Sequence, residues 1–473
     1  MEPGFELPIE VPPRRSRNRM RALHQQLRTA ILEGRLKPGV KLPPTRAFAA
    51  TYGVSRNTAI ATYDLLQSEG YVSTRRGGTF VTAMLPRRMP AERRGKDGRL
   101  SEYWRNTSPT IVTVERPRLD FTLGVPDLPL FPLDVWKRLS ARAVRSFFRQ
   151  PVAGSDSPYG RPALRDAIAQ HVSSTRAVAS SVEDIVVTAG AKQAFSLLAR
   201  ILVTPKRTVV AVEDPGYRPV RIAFEAAGAR IVHVPVDQEG LIVERLPANA
   251  RVICVTPSHQ YPLGVVMSAS RRAQLLDFAR TRGAVVMEDD YDSEFRYGDR
   301  PLDALQTLDR SDSVFYVGTF SKSLFPGLRI GFVVAPAWAR TALAAARQYA
   351  DGYSPALSQE TLTAFIKEGH LVRHVRKMRR IYAARRELLL ERLALDLGWL
   401  QPFPSAAGLH LACGVDRGID VDAFIAKARE REVGLGSLRR YAVSGRAQKG
   451  VMFGFGALSE QGIDEALGRL RRL

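Results

Sequence analysis

Gly318-Thr319-Phe320-Ser321-Lys322-Ser323-Leu324-Phe325-Pro326-Gly327-Leu328-Arg329-Ile330-Gly331 places one lysine beside two hydroxyl side chains, with an arginine further along the same stretch. A lysine that forms a Schiff base must lose its proton near neutral pH, and partial desolvation beside cationic or hydrogen-bonding neighbours lets it do so. The hydroxyls of Thr319 and Ser321 and the guanidinium of Arg329 are what a phosphate and a carboxylate want nearby. A lone lysine in a Ser-rich loop reads as an ordinary surface residue. Here Val314-Phe315-Tyr316-Val317 and Ile330-Gly331-Phe332-Val333-Val334 flank it as apolar runs of strand type, and matching stretches lie far away in the chain.

Working outward, residues 119–473 alternate apolar β-rich runs with helical patterns, which predicts an α/β domain built on a parallel sheet covered by helices. The runs Ile185-Val186-Val187, Val209-Val210-Ala211-Val212, Ile231-Val232-His233-Val234, Val252-Ile253-Cys254-Val255 and Ala284-Val285-Val286-Met287 are the strand candidates. Each ends in polar or Gly/Pro residues, and α/β proteins keep their sites at such strand ends. Gly190, Ala191 and Lys192 make a glycine turn that opens a helix, where backbone N–H groups and the helix dipole can hold a phosphate. Tyr217 follows the turn Pro215-Gly216 and could stack on a flat ring or simply fill the core. Glu288-Asp289-Asp290-Tyr291 puts carboxylates and a phenol at a strand end. An acid there can pair with a pyridinium nitrogen and keep the ring an electron sink. Neighbouring acids can also bind metal, but no histidine or further carboxylate stands at ligand spacing, so no metal is expected. With Lys322, this set describes a pocket for pyridoxal 5'-phosphate.

Length and charge add a second function. A chain of 473 residues implies two or three domains. The formal charge of +23 exceeds anything that small metabolites require and points to a polyanionic partner. Residues 1–118 hold 22 Lys+Arg against 10 Asp+Glu, so about half the excess lies in the first quarter. Arg-rich coding bias is an equal account of the remainder. No apolar run of about 18 residues and no apolar leader core is present, which predicts a cytoplasmic protein. Cys254 and Cys413 each sit in apolar surroundings and read as buried thiols.

The N-terminal quarter reads as three helices and a hairpin. Leu23, Leu27, Ala30 and Ile31 form a helical stripe that Gly34 stops. Pro43-Pro44-Thr45-Arg46 opens a second helix with Thr45 as its cap. After Gly53, a third helix starts at Val54-Ser55-Arg56-Asn57-Thr58, with Ala59, Tyr63 and Leu66 facing the core. Two short helices joined by a Gly-containing turn are a helix-turn-helix, whose second helix offers its N-terminal residues to DNA. Ser55, Arg56, Asn57 and Thr58 carry the donors and acceptors this needs. Residues 70–81 read as a hairpin wing with Arg75 and Arg76 at its tip. Residues 84–118, with Arg87, Arg88, Arg93, Arg94, Lys96 and Arg99 among Pro and Gly, read as a basic linker that either tracks DNA phosphates or is a solvated tether. The domain expectation is 15–83 for DNA binding, 84–118 for the linker and 119–473 for the sheet domain.

These motifs, in order, resemble two families. The Leu-Pro, Pro-x-x-Arg, Gly-Val-Ser-Arg-x-Thr and Gly-Thr-Phe-Val stretches resemble the winged helix-turn-helix of the GntR regulators. That resemblance implies operator contacts at Arg46, Ser55, Arg56 and Thr58, with Gly77 and Gly78 forming the wing tip. The order Gly-turn, Pro-Gly-Tyr, Pro-Ser-His-Gln-Tyr-Pro, Asp-Asp-Tyr, Ser-Lys, Arg resembles fold type I aminotransferases, and the fusion resembles the MocR/GabR subfamily. It implies that Lys322 forms the internal aldimine of pyridoxal 5'-phosphate and that Asp289 meets the ring nitrogen. Tyr217 would stack on the ring and Tyr291 bond its phenolic oxygen. Thr319, Ser321 and the turn Gly190-Ala191-Lys192 would hold the phosphate, with Arg329 near the phosphate or the ligand. A homodimer on double-stranded DNA follows from the same resemblance.

The chain also departs from the aminotransferase pattern. His259 or Gln260 stands where an asparagine is usual. Ser155 falls where a tyrosine reaches the neighbouring subunit, if Gly160 is the matching glycine. Met452 falls where an arginine grips the substrate carboxylate, and Arg439 or Arg440 is the replacement open to it. Three functions follow: a regulator sensing an amine, an amino acid or pyridoxal 5'-phosphate at Lys322, a catalytically active aminotransferase with a DNA-binding head, or a binding module on a relic fold. Without the bidentate anchor an amino acid is poorly oriented for transamination, which favours the first.

Overall fold

The computed structural model describes residues 7–13, 16, 18–82, 98–108, 116–149, 157–297, 303–415, 418–443 and 449–473. It divides into two compact units, Met1–Arg105 and Asn106–Leu473. In the first unit, α1 (Arg19–Leu32) buries Leu23, Leu27, Ala30 and Ile31, the stripe expected of a helix with one face inward. It starts one turn before that stripe, because none of Arg19, Met20, Arg21 and Ala22 is buried and that turn adds nothing to the inward face. α2 (Thr45–Thr51) buries Phe48 and Ala49. Thr45 is its first helical residue and not its cap: Pro44, whose ring presets φ, occupies that position without a side-chain bond. α3 (Arg56–Ser68) turns Ala59, Thr62, Tyr63 and Leu66 inward, and Ser55 caps it by accepting from the Thr58 N–H at 3.1 Å. β1 (Val72–Arg75) and β2 (Gly78–Val81) form an antiparallel hairpin closed by the two-residue loop Arg76-Gly77.

In the second unit, β3 (Leu119–Asp120) leads into the main sheet. That sheet is built from β4 (Ile185–Thr188), β5 (Val209–Asp214), β6 (Arg230–Asp237), β7 (Gly240–Leu241), β8 (Ala250–Val255), β9 (Val285–Asp290), β10 (Val314–Thr319) and β11 (Gly331–Val334), in the order β4-β11-β10-β9-β8-β5-β6-β7. Strands β5 and β10 are buried along their whole length and β9 from Val286 onward, as helices on both faces of a sheet require. Val212, Cys254, Met287 and Val317 pack on one face with Phe195, Phe224 and Leu343 from the helices. On the other face, Ile253 and Val286 meet Leu275 and Ala279.

The sheet is not wholly parallel, which corrects the sequence expectation. β11 runs antiparallel to both β10 and β4, and β7 runs antiparallel to β6. A parallel return needs a crossover of about a dozen or more residues. Only residues 320–330, which carry Lys322, join β10 to β11, so the chain turns back alongside itself. A smaller antiparallel sheet follows from β12 (Leu400–Pro402), β13 (His410–Val415), β15 (Gly436–Ser437) and β16 (Gly450–Gly454), while β14 (Val433–Gly434) pairs in parallel with β3. Among the described residues, no helix is long and apolar enough to cross a membrane.

Candidate functional site

The C-terminal ends of β5, β9 and β10 open into a cavity of about 800 Å³ whose lining includes Lys322, Asp289, Tyr291, Tyr217, Thr319 and Ser321. Ala191, Lys192 and Arg329 line it as well. Most of the expected cofactor residues, read from stretches more than a hundred positions apart, therefore share one space. Lys322 Nζ donates to the Gly124 carbonyl at 2.7 Å. Burial lowers its pKa, against the opposing pull of Asp292 and Asp289, so the amine is more easily deprotonated than an exposed one.

Asp289 is the sharpest feature. Burial, followed by the nearby carboxylates Asp290, Asp292 and Glu213, pushes its pKa well above the ordinary carboxyl range. Its Oδ1 is buried and has no hydrogen-bond partner among the described residues. A buried acceptor left unmatched costs about 1–3 kcal/mol, so this oxygen is suited to a ligand that brings a donor. Tyr217 is held edge-on by Phe195 and Tyr261, with ring centroids at 6.2 and 5.2 Å, and is poised as a rigid flat wall.

At the far end of the cavity, Gly190 takes φ 77° ahead of the helix Ala191–Leu202. A Cβ there would lie 2.9 Å from Arg329 Nη1, so glycine is what lets the guanidinium approach the helix start. Arg329 itself holds a left-handed φ of 52° and donates to the Ala189 carbonyl. The Thr319 hydroxyl donates to Ser321 Oγ at 3.0 Å and accepts from the Ser321 N–H at 3.2 Å. A helix N-terminus, two hydroxyls, Lys192 and Arg329 converge as a phosphate would need.

The two residues offered for the missing asparagine do not line this cavity. The Gln260 amide turns inward to Glu213, the Pro215 carbonyl and the Tyr261 carbonyl. His259 stands behind two residues that do line it: the Tyr291 hydroxyl lies 2.9 Å from Nδ1, and the His410 ring centroid lies 4.9 Å from its own. Met452 is fully buried and packs with Leu263, Val265, Ala412 and Leu438. Arg439 pairs with Asp422 at 3.1 Å, whereas Arg440 lines the cavity. Ser155 lies outside the described residues, as do Arg87, Arg88, Arg93, Arg94 and Lys96.

Sequence reading missed several participants. The Gly124 carbonyl carries no side-chain signal. Glu213, fully enclosed, is pushed up to about 7 by burial while Thr256 and Gln260 bond it. A second cavity of about 300 Å³ adjoins the first through Tyr217, Asp289, Arg440 and Tyr441. His259, Asp292 and His410 bring ligand-type atoms within 4.8 Å of one another. Hydrogen bonds account for this cluster: His259 Nδ1 bonds Asp292, its Nε2 bonds the Ser405 hydroxyl, and His410 Nε2 donates to the Pro262 carbonyl.

In the first unit, Arg46, Ser55, Arg56, Asn57, Arg75, Arg76 and Gly77 are exposed, while Thr58 and Gly78 are half-buried. Ser55 Oγ and Thr58 Oγ1 lie 2.7 Å apart, so these two hydroxyls organise the helix start. Arg56 and Asn57 project beyond that cap.

A winged helix-turn-helix joined to a fold type I aminotransferase domain defines a class of bacterial regulator. Residues 20–81 match the bacterial regulatory proteins of the gntR family, and residues 120–447 match aminotransferase class I and II. The probable rhizopine catabolism regulatory protein MocR of Rhizobium meliloti is 35% identical over 95% of this chain and 92% of its own. The HTH-type pyridoxine biosynthesis transcriptional regulator PdxR of Corynebacterium glutamicum is 33% identical over 96% of each chain. Among solved structures, an archaeal alanine:glyoxylate aminotransferase superposes with a TM-score of 0.70 at 27% identity, covering 76% of this chain and 91% of that one. The chain belongs to the MocR-type subfamily of GntR transcriptional regulators.

Proposed function

We propose that this regulator holds pyridoxal 5'-phosphate at Lys322. A small amine or amino acid, or pyridoxal 5'-phosphate itself, then engages the same cavity and alters how the DNA-binding heads of a homodimer sit on a double-stranded operator. In this reading residues 15–83 bind DNA, 84–118 form the basic linker, and 119–473 hold cofactor and effector in the cytoplasm. The observation that carries it is the unpartnered, buried Asp289 Oδ1 in the cavity that Lys322 lines. An acceptor in that position fits the ring N–H of a pyridinium.

When bound, pyridoxal 5'-phosphate supplies a carbonyl that an amine can capture and a ring that draws electrons. The chain's own residues do the rest. Burial makes the Lys322 ammonium easier to deprotonate, and the Gly124 carbonyl orients it. Asp289 would keep the ring nitrogen protonated, Tyr217 would wall the ring, and Tyr291 would donate to its phenolic oxygen. Thr319, Ser321, Arg329 and the turn Gly190-Ala191-Lys192 would take the phosphate. Arg46, Ser55, Arg56, Asn57 and Thr58, with Arg75, Arg76, Gly77 and Gly78 of the wing, would meet DNA. The apolar burial of Met452 leaves no cation at the carboxylate position of that strand, which favours sensing over turnover.

The test is spectroscopic. Adding pyridoxal 5'-phosphate to the purified chain should produce a visible absorption band that small amines perturb, and Lys322→Ala should lack it. A chain that takes up no cofactor would sink the proposal.

A further inference from the structure

His259 Nδ1 is asked to serve two neighbours with one site. It lies 2.9 Å from the Tyr291 hydroxyl and 3.1 and 3.0 Å from the two oxygens of Asp292. A neutral imidazole carries a proton on one nitrogen and a lone pair on the other. If Nδ1 carries the proton, it donates to Asp292 and cannot accept from the phenol. The Tyr291 hydrogen is then free for the cavity that Tyr291 lines. If Nδ1 carries the lone pair, it accepts the phenol hydrogen, and the cavity loses that donor.

The other ring nitrogen tolerates both arrangements. Nε2 lies 3.1 Å from Ser405 Oγ, and that hydroxyl is also 3.2 Å from the Ala407 carbonyl. Ser405 can therefore donate to a bare Nε2, or accept from a protonated one while donating to Ala407. The ring cannot swing away from the choice, because Gly408 packs against it: a Cβ there would lie 2.1 Å from His259 Cε1 and 2.5 Å from Asp292 Oδ2. Asp292 breaks the tie. Its buried carboxylate is satisfied among the described residues by His259, and an ionised carboxylate in that position holds the proton on Nδ1.

We propose that Asp292, acting through the His259 imidazole, is a positioning residue that directs the Tyr291 hydroxyl hydrogen into the cavity, towards the phenolic oxygen of bound pyridoxal 5'-phosphate. The proposal rests on the cofactor reading given above. Its consequence is a set point for the proton on the Lys322 nitrogen. A donor to the phenolic oxygen weakens that oxygen as a partner for this proton, so losing the donor keeps the proton on to higher pH. The other groups facing the chain are Tyr261, Asp289 and Glu213 around Tyr291, Lys192 and Asp289 around Lys322, and His410 beside His259.

The measurement is the pH midpoint of the visible spectrum of the cofactor-loaded full chain, in wild type, Tyr291→Phe, Asp292→Asn and the double variant. A neutral amide no longer holds the proton on Nδ1, so Asp292→Asn should raise the midpoint by about one pH unit, the worth of one ordinary hydrogen bond. Tyr291→Phe should do the same, and the double variant should go no further. A direct effect of the Asp292 charge on Lys322 has the opposite sign, because removing a nearby anion lowers the midpoint. A fall, no change, or a shift that persists in the Tyr291→Phe background overturns the proposal. Nitrogen NMR of the loaded wild type gives a reading that does not depend on any variant folding: His259 protonated on Nδ1 supports it, and protonation on Nε2 overturns it. If the wild type shows no visible band at all, it is the cofactor reading that fails.

Discussion

The two units carry their chemistry in opposite ways. In the DNA-binding unit the candidate contact residues lie in short local stretches, most of them exposed, and their geometry comes from two helix starts and one hairpin. In the aminotransferase-type unit, Gly124, Asp289 and Lys322 come from separate segments and line one cavity, and Glu213 lines the cavity that adjoins it; burial there shifts Glu213 and Asp289 up and Lys322 down. An exposed contact surface needs only local structure and charge. A reactive pocket needs desolvation, which no single segment can supply.

That difference can be broken by experiment at four places. The largest effect is expected at Lys322: Lys322→Ala should abolish the visible band of the loaded protein outright, while the isolated affinity of the heads for DNA persists. Loss of both together would mean that the pocket and the heads are not separable functions.

Next is the pH dependence that desolvation builds into the pocket. The folded pKa of Glu213 is raised from 4.5 to about 7, so the folded state keeps a proton that the unfolded chain has released. Its contribution to stability is complete below about pH 4.5 and declines as pH rises towards 7, by about 3 kcal/mol. Glu213→Gln should flatten that part of the stability profile, read by chemical denaturation across the range, and an unchanged slope would place the titration elsewhere.

In the exposed unit, Arg56→Ala should weaken operator binding by about 1–3 kcal/mol, roughly 5- to 150-fold, or, if Arg56 meets only phosphate, reduce the salt slope by about one. Unchanged affinity and slope would remove the start of α3 from the interface. The smallest effect is expected at Ser55. Ser55→Ala should cost the head about 1 kcal/mol through the lost cap, and Ser55→Asn should restore most of it; equal melting of both variants would show that the cap carries no stability.

The same contrast decides how much could be read in advance. The helices of the head were legible because their core residues recur at three- and four-residue spacing and Ser55 stands where a cap must. The misreadings there, the early start of α1 and Thr45 as a cap, are errors of a turn or less at positions that are not buried. In the pocket, Lys322, Asp289, Tyr217 and the turn at Gly190 were legible because strand ends advertise themselves. The antiparallel β11, the inward turn of Gln260, the division of labour between Arg439 and Arg440, and the partnership of Asp292 with His259 were not. Each depends on which segments the fold brings side by side, and no periodicity along the chain records that.

By itself, then, the sequence determined that this protein has a basic helix-turn-helix head, a β/α domain, and a lysine at a strand end among hydroxyls and an arginine, because residue type and spacing dictate local structure. Only the tertiary structure decided that Lys322 bonds Gly124, that Asp289 is left with a buried oxygen in want of a donor, and that one imidazole stands between Tyr291 and Asp292. Burial and hydrogen-bond choice depend on neighbours across the fold.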